Sequence, residues 1–202
     1  MVNEKQQQFI ASEFWNAAWN ASVQHVSVYG EGVTEKQRRK FKNEMFNFVY
    51  NCLLSSYRKT PSEDKHYENI ESLIKHGTLI GAEILKNGAY QYGVAQKLLN
   101  LYLKYYWCAE KIAEPPHCPI DGVILKILGL PEIKWTQISQ ESEYKRVIEE
   151  IKMRLTQGEP SISRWELRHY MDANRPIADL PLTSPARPSA KPSARGTPAR
   201  PD

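Results

Sequence analysis

Residues 93–121 read GVAQKLLNLYLKYYWCAEKIAEPPHCPID. From Leu98 to Trp107 only Asn100 and Lys104 interrupt an apolar run. A helix that is apolar on every side is buried on every side, so this segment reads as the central helix of a packed domain. Its two ends carry residues that a plain core helix does not need. Lys97 falls in the first turn, where the helix dipole and the apolar neighbours both oppose a cation. Two prolines then lead to Pro119-Ile120-Asp121, and a second apolar run follows with Val123, Ile124, Leu125, Ile127 and Leu128. Asp121 stands at the N-cap of that run.

Outward from this segment, helical spacing dominates. Residues 3–21 place Phe9, Ile10, Phe14, Ala17 and Ala18 on one face. Thr34-Glu35 opens a second helix with Phe41, Met45, Phe48, Val49, Cys52 and Leu53 along a stripe, and Pro61-Ser62 opens a third. Gly77-Thr78 reads as a stop and restart, with a short helix to Lys86 that Asn87-Gly88 ends. Residues 139–156 form a charged amphipathic helix, and Ser163 with Glu166 reads as a capping box for a last helix through Tyr170. Val26, Val28 and Val33 suggest at most a short extended piece, punctuated by Gly30 and Gly32. The fold class is all-α, a helical-bundle-like domain over residues 1–174.

Residues 175–202 are rich in Pro, Ala, Ser and Arg and offer almost nothing to bury, so they read as a disordered tail. The tail holds Arg175, Arg187, Lys191, Arg195 and Arg200 against Asp179 and Asp202, which accounts for most of the formal charge of +4. The body is close to neutral, so charge alone argues for no particular partner. Cys52, Cys108 and Cys118 are scattered, which speaks against a disulfide framework, a zinc site or an iron–sulfur cluster. His117 and Cys118 are adjacent, with no third ligand spaced near them. No run is long enough to span a membrane and no signal peptide is visible, so the expected location is the cytoplasm.

The chemistry of the segment rests on two helix starts. At NGAYQYGVAQK (87–97) a helix ends and a buried one begins, and its first unpaired N–H groups make a seat for phosphate. Gly93 admits close approach of another backbone. Lys97 is either a lysine that snorkels out of the first turn or an amine whose pKa burial depresses, and so a nucleophile. Asp121 is either a plain cap or a carboxylate held in place for reaction. The two are within reach of each other. A helix from Lys97 to Lys111 covers about 21 Å, and residues 112–120 stretch to about 30 Å at most.

This pattern resembles the helix–hairpin–helix DNA glycosylases. That family carries a Gly-Val-Gly-x-Lys hairpin, an apolar helix, and a Pro-Val-Asp loop at the start of the next helix. The corresponding residues here are Gly93-Val94-Ala95-Gln96-Lys97 and Pro119-Ile120-Asp121. Ala95 stands where the family has its second glycine, and Gln91-Tyr92 where it has Leu-Pro. The longer stretch between lysine and aspartate is similar to the divergent archaeal 8-oxoguanine branch. The resemblance implies a small monomeric enzyme that needs no metal or other cofactor and acts on double-stranded DNA with an altered base. Lys97 would be the nucleophile and Asp121 the assisting carboxylate. Tyr90, Gln91, Tyr92, Gly93, Val94, Ala95 and Gln96 would contact DNA, and Trp15, Trp19 and Trp135 are candidates for the walls of a base pocket. Either base-excision repair or removal of modified bases from phage DNA would use such an activity. The alternative is a helical module that binds DNA or protein without chemistry.

Overall fold

The computed structural model describes residues 3–173, and all their regular structure is helical. The tail at 175–202 lies outside the described residues. Helix α1 (Glu4–Val23) starts at Asn3, whose side chain accepts from Lys5 N–H while Gln6 accepts from Asn3 N–H. Helix α2 (Glu35–Phe48) starts the same way at Thr34 with Gln37. These reciprocal bonds satisfy N–H groups that the helix itself leaves unpaired. Helix α2 runs on into a π-helical turn (Val49–Leu53) and a 3-10 turn (Leu54–Tyr57). Then come α3 (Glu63–Gly81), α4 (Tyr92–Cys108), α5 (Gly122–Ile127), α6 (Glu141–Lys152) and α7 (Ile162–Ala173).

The quoted segment is α4, and it is the centre of the domain. Helices α1 and α3 pack against it, as does the 3-10 turn Trp135–Gln137. Val94, Ala95, Leu98, Leu99, Tyr102 and Leu103 are buried along its length. An aromatic layer joins α1 to α4 and α2. Trp15 meets Tyr102 edge-on with centroids 5.4 Å apart, and Trp19 lies 5.8 Å from Trp15 and 6.0 Å from Phe41. Such edge-to-face pairs add specificity to plain burial. Trp15 and Trp19, taken from the sequence as pocket walls, are therefore core residues.

The polar interruptions of α4 are each partnered. Asn100 donates to the Tyr144 hydroxyl at 2.9 Å, and Lys104 Nζ lies 2.8 Å from Glu166 of α7. The network continues below α4: the Tyr144 hydroxyl is 3.2 Å from His117 Nδ1, and the His117 and His66 rings meet at 4.7 Å. Burial pushes His66 down to about 3 and His117 well below the usual histidine range, so both imidazoles are neutral.

Several local expectations change. Helix α3 passes through Gly77-Thr78 without a break. Gly77 serves packing instead: a Cβ there would stand 3.0 Å from the Tyr90 ring and 3.1 Å from Met45. The short helix expected to Lys86 is a turn, tied to the extended piece at Val28–Gly30 through an isolated bridge between Tyr29 and Leu85. The charged helix is shorter than 139–156, and Gln140 with Glu143 forms its capping box. Ser163 and Glu166 do not cap α7 together. The Ser163 hydroxyl is shared by the Pro115 and His117 carbonyls, and Glu166 is taken by Lys104. Among the described residues no helix is long and apolar enough to cross a membrane.

Candidate functional site

Lys97 and Asp121 meet. The amine lies 3.7 Å from Asp121 Oδ2, with 6 % of the lysine side chain and 31 % of the aspartate side chain exposed. Asp121 is the N-cap of α5, and its Oδ1 accepts from Val123 N–H at 2.9 Å and Ile124 N–H at 3.2 Å. One oxygen thus holds the helix start and the other faces the amine. Burial draws the Lys97 pKa below its ordinary value, and the Asp121 charge opposes that shift without reversing it.

The route that brings these residues together differs from plain loop reach. Helix α4 ends at Cys108, short of Lys111, and residues 109–120 return along the domain. Gln96 then clamps the returning chain. Its Nε2 donates to the Ile120 carbonyl at 2.8 Å, and its Oε1 accepts from Ile120 N–H at 3.1 Å. An amide side chain pairing with one peptide unit copies a strand pair, and it fixes Asp121 beside the next residue of α4. Gln96 is wholly buried, so it is a clamp and its side chain is not a DNA contact. An amide set directly beside the lysine in an apolar helix was the one sequence signal for that role.

The start of α4 is occupied by the protein's own chain. Gly93 N–H donates to the Ile138 carbonyl at 2.9 Å. A Cβ at Gly93 would stand 2.0 Å from the Trp135 carbonyl oxygen, so only glycine fits. The close backbone approach expected at Gly93 occurs, with the 135–138 segment in the place foreseen for phosphate. Tyr90, Tyr92, Val94 and Ala95 are buried, and only Gln91 is part-exposed. The Tyr90 ring packs on Phe41, and the Tyr92 ring on Tyr144. As side chains these four belong to the core.

Of the three tryptophans expected at a pocket, Trp135 alone stands at the pair. Its ring lies over Lys97, 4.3 Å from Nζ to the ring centroid. A cation over an indole face is attracted by the ring quadrupole, so Trp135 both covers and holds the amine. His117 and Cys118 are both buried under the returning chain, and burial pushes the Cys118 thiol well above its usual range, which leaves it inert.

Set against models of protein families, curated proteins and solved structures, the chain finds no match in any of the three.

Proposed function

We propose that the protein is a DNA glycosylase that removes an altered base, with Lys97 as nucleophile and Asp121 as assisting carboxylate. The observation that carries this reading is the amine–carboxylate pair at 3.7 Å between the second turn of α4 and the N-cap of α5, the two residues that the sequence resemblance to the helix–hairpin–helix glycosylases singles out. A lysine with a lowered pKa has a larger neutral fraction, and the neutral amine is the nucleophile.

In the proposed reaction a nucleotide is extruded from the stack, because its C1′ is out of reach inside the duplex. Lys97 Nζ attacks C1′, and the C1′–N bond breaks as the base leaves with the bonding electrons. Asp121 Oδ2 stabilises the positive charge that develops on the sugar. Loss of a proton from the nitrogen and opening of the sugar ring give a Schiff base, and removal of a C2′ proton expels the 3′ phosphate by β-elimination. For the nucleotide to enter, the Trp135 ring must leave the face of Lys97. Repair of damaged bases and removal of modified phage bases would both use this chemistry.

A second reading has its own observation. Gly93 is closed by Trp135 and Ile138, and the amine is covered, which favours a helical module that binds without reaction. Borohydride trapping separates the two. Duplexes carrying different altered bases, and an abasic duplex, are incubated with the protein and reduced. The glycosylase reading expects a covalent adduct with the wild type and none with Lys97→Ala. Absence of both adduct and base release across the panel would favour the binding module.

A further inference from the structure

A cleft with a cationic lining lies at the other end of α4. It encloses about 460 Å³ between α1, the π-helical turn, the 3-10 turn and the end of α4. That volume falls within the range of small-ligand sites. Its lining includes Arg58 and Lys111 and no acidic side chain. Neither cation forms an ion pair with a carboxylate among the described residues. Ile10, Leu54 and Ile112 supply apolar surface, and Tyr50 and Tyr106 add two phenols.

The backbone holds these groups in place. Two residues past the end of α4, Glu110 lies in the left-handed region at φ 57°, a conformation that a residue other than glycine rarely takes. It lets Lys111 N–H bond the Tyr106 carbonyl at 2.9 Å, which fixes the backbone from which both residues reach the cleft. Ala113 N–H bonds the Tyr57 carbonyl at 2.9 Å, and Thr60 Oγ1 donates to the Glu114 carbonyl at 2.9 Å. These two bonds tie the segment after Lys111 to the turn that carries Arg58. The Tyr106 oxygen accepts from the Tyr102 hydroxyl at 3.3 Å, so its own proton is directed elsewhere. Tyr50 rides on the π-helical turn, a rare backbone form that is frequent at functional sites.

We infer that this cleft binds a phosphate monoester whose sugar carries a flat ring, that is, a nucleotide. Arg58 and Lys111 take the phosphate, Tyr106 donates to it, and the Tyr50 ring with Ile10 and Leu54 takes the base. The site is separate from the Lys97–Asp121 pair and stands whether or not that pair is catalytic. Two sources offer the same chemistry: a free nucleotide, or the phosphorylated end of a strand.

Calorimetric titration of the full chain at low salt tests the inference with four probes: deoxythymidine 5′-phosphate, thymidine, and a short oligo(dT) with and without a 5′-phosphate. Each phosphorylated probe is expected to bind at least about tenfold more tightly than its unphosphorylated counterpart, the worth of one charge-assisted bond pair. The double variant Arg58→Gln/Lys111→Gln is expected to lose that preference while its melting temperature holds, since both side chains are exposed. Tyr106→Phe should weaken phosphate binding a few-fold. Equal affinity of the mononucleotide and the 5′-phosphorylated strand identifies a mononucleotide site, and tighter binding of the strand identifies a strand-end site. No phosphate preference, or a preference that survives in the double variant, overturns the assignment.

Discussion

Two lysines of α4, about 10 Å apart along the helix axis, meet carboxylates in different ways. Lys104 lies 2.8 Å from Glu166, with 10 % and 5 % of the two side chains exposed. Lys97 lies 3.7 Å from Asp121, beyond hydrogen-bond length, and the carboxylate is partly open to solvent. Burial pushes the Glu166 carboxyl up, with Lys104 drawing it back, whereas burial draws the Lys97 amine down, with Asp121 resisting. In the first pair each charge satisfies the other, and the pair fastens α7 to α4. In the second, Asp121 spends one oxygen on the start of α5, and the amine rests between the other oxygen and an indole face. Both are amine–carboxylate pairs on one helix, yet the first is a direct contact between two buried charges and the second sets its amine between a carboxylate oxygen and an indole face.

The largest effect expected from that contrast is on stability at Lys104. Lys104→Ala leaves Glu166 buried without its cation and should cost about 3–5 kcal/mol, read by urea unfolding. A loss under about 1 kcal/mol there would erase the distinction, since surface pairs are worth no more than that. Next comes the lid over Lys97. Gly93→Ala drives a methyl into the Trp135 carbonyl and should cost about 1–3 kcal/mol. It should also loosen the 135–138 segment, so that Lys97 reacts faster with an amine-acylating reagent, followed by mass spectrometry. Unchanged labelling would show that the segment does not shield the amine.

A smaller change is expected at Asp121. Asp121→Ala removes the cap of α5 and should cost about 1 kcal/mol, whereas Asp121→Asn should cost only a few tenths, because Asn caps nearly as well. If the Asn variant melts as low as the Ala variant, the carboxylate matters chiefly to the fold. The smallest effect is a slope with pH. The folded-state pKa of Lys97 lies below the unfolded value of 10.5, so between the two the unfolded chain binds more protons. Stability should therefore rise with pH across that window and level off above 10.5, and Lys97→Met should flatten this part of the curve. A slope identical in wild type and variant would assign it to other groups.

Much of this contrast was invisible in the linear chain for a definite reason. Lys97 and Lys104 are both lysines inside one apolar stretch, and periodicity cannot say which is paired. Glu166 read as a local capping residue because its spacing from Ser163 fits a box, but the two side chains turn to α4 and to the 115–117 carbonyls. Gly77 read as a stop, yet α3 runs through it and a Cβ there would press on Tyr90 and Met45. Gly93 read as a place of close backbone approach, but only the packed chain shows that the 135–138 segment makes that approach.

What the sequence determined by itself is the all-helical class with most of its helices, the burial of α4 and the capping of α5 by Asp121. Those properties follow from the spacing of apolar side chains and from hydrogen bonds between near neighbours in the chain. Only the tertiary structure decided that Gln96 clamps Ile120, that Trp135 covers Lys97, that Tyr90 and Tyr92 face inward, and that Arg58 and Lys111 line one cleft. Each of these joins residues far apart in the chain, and such contacts are set by how the helices pack.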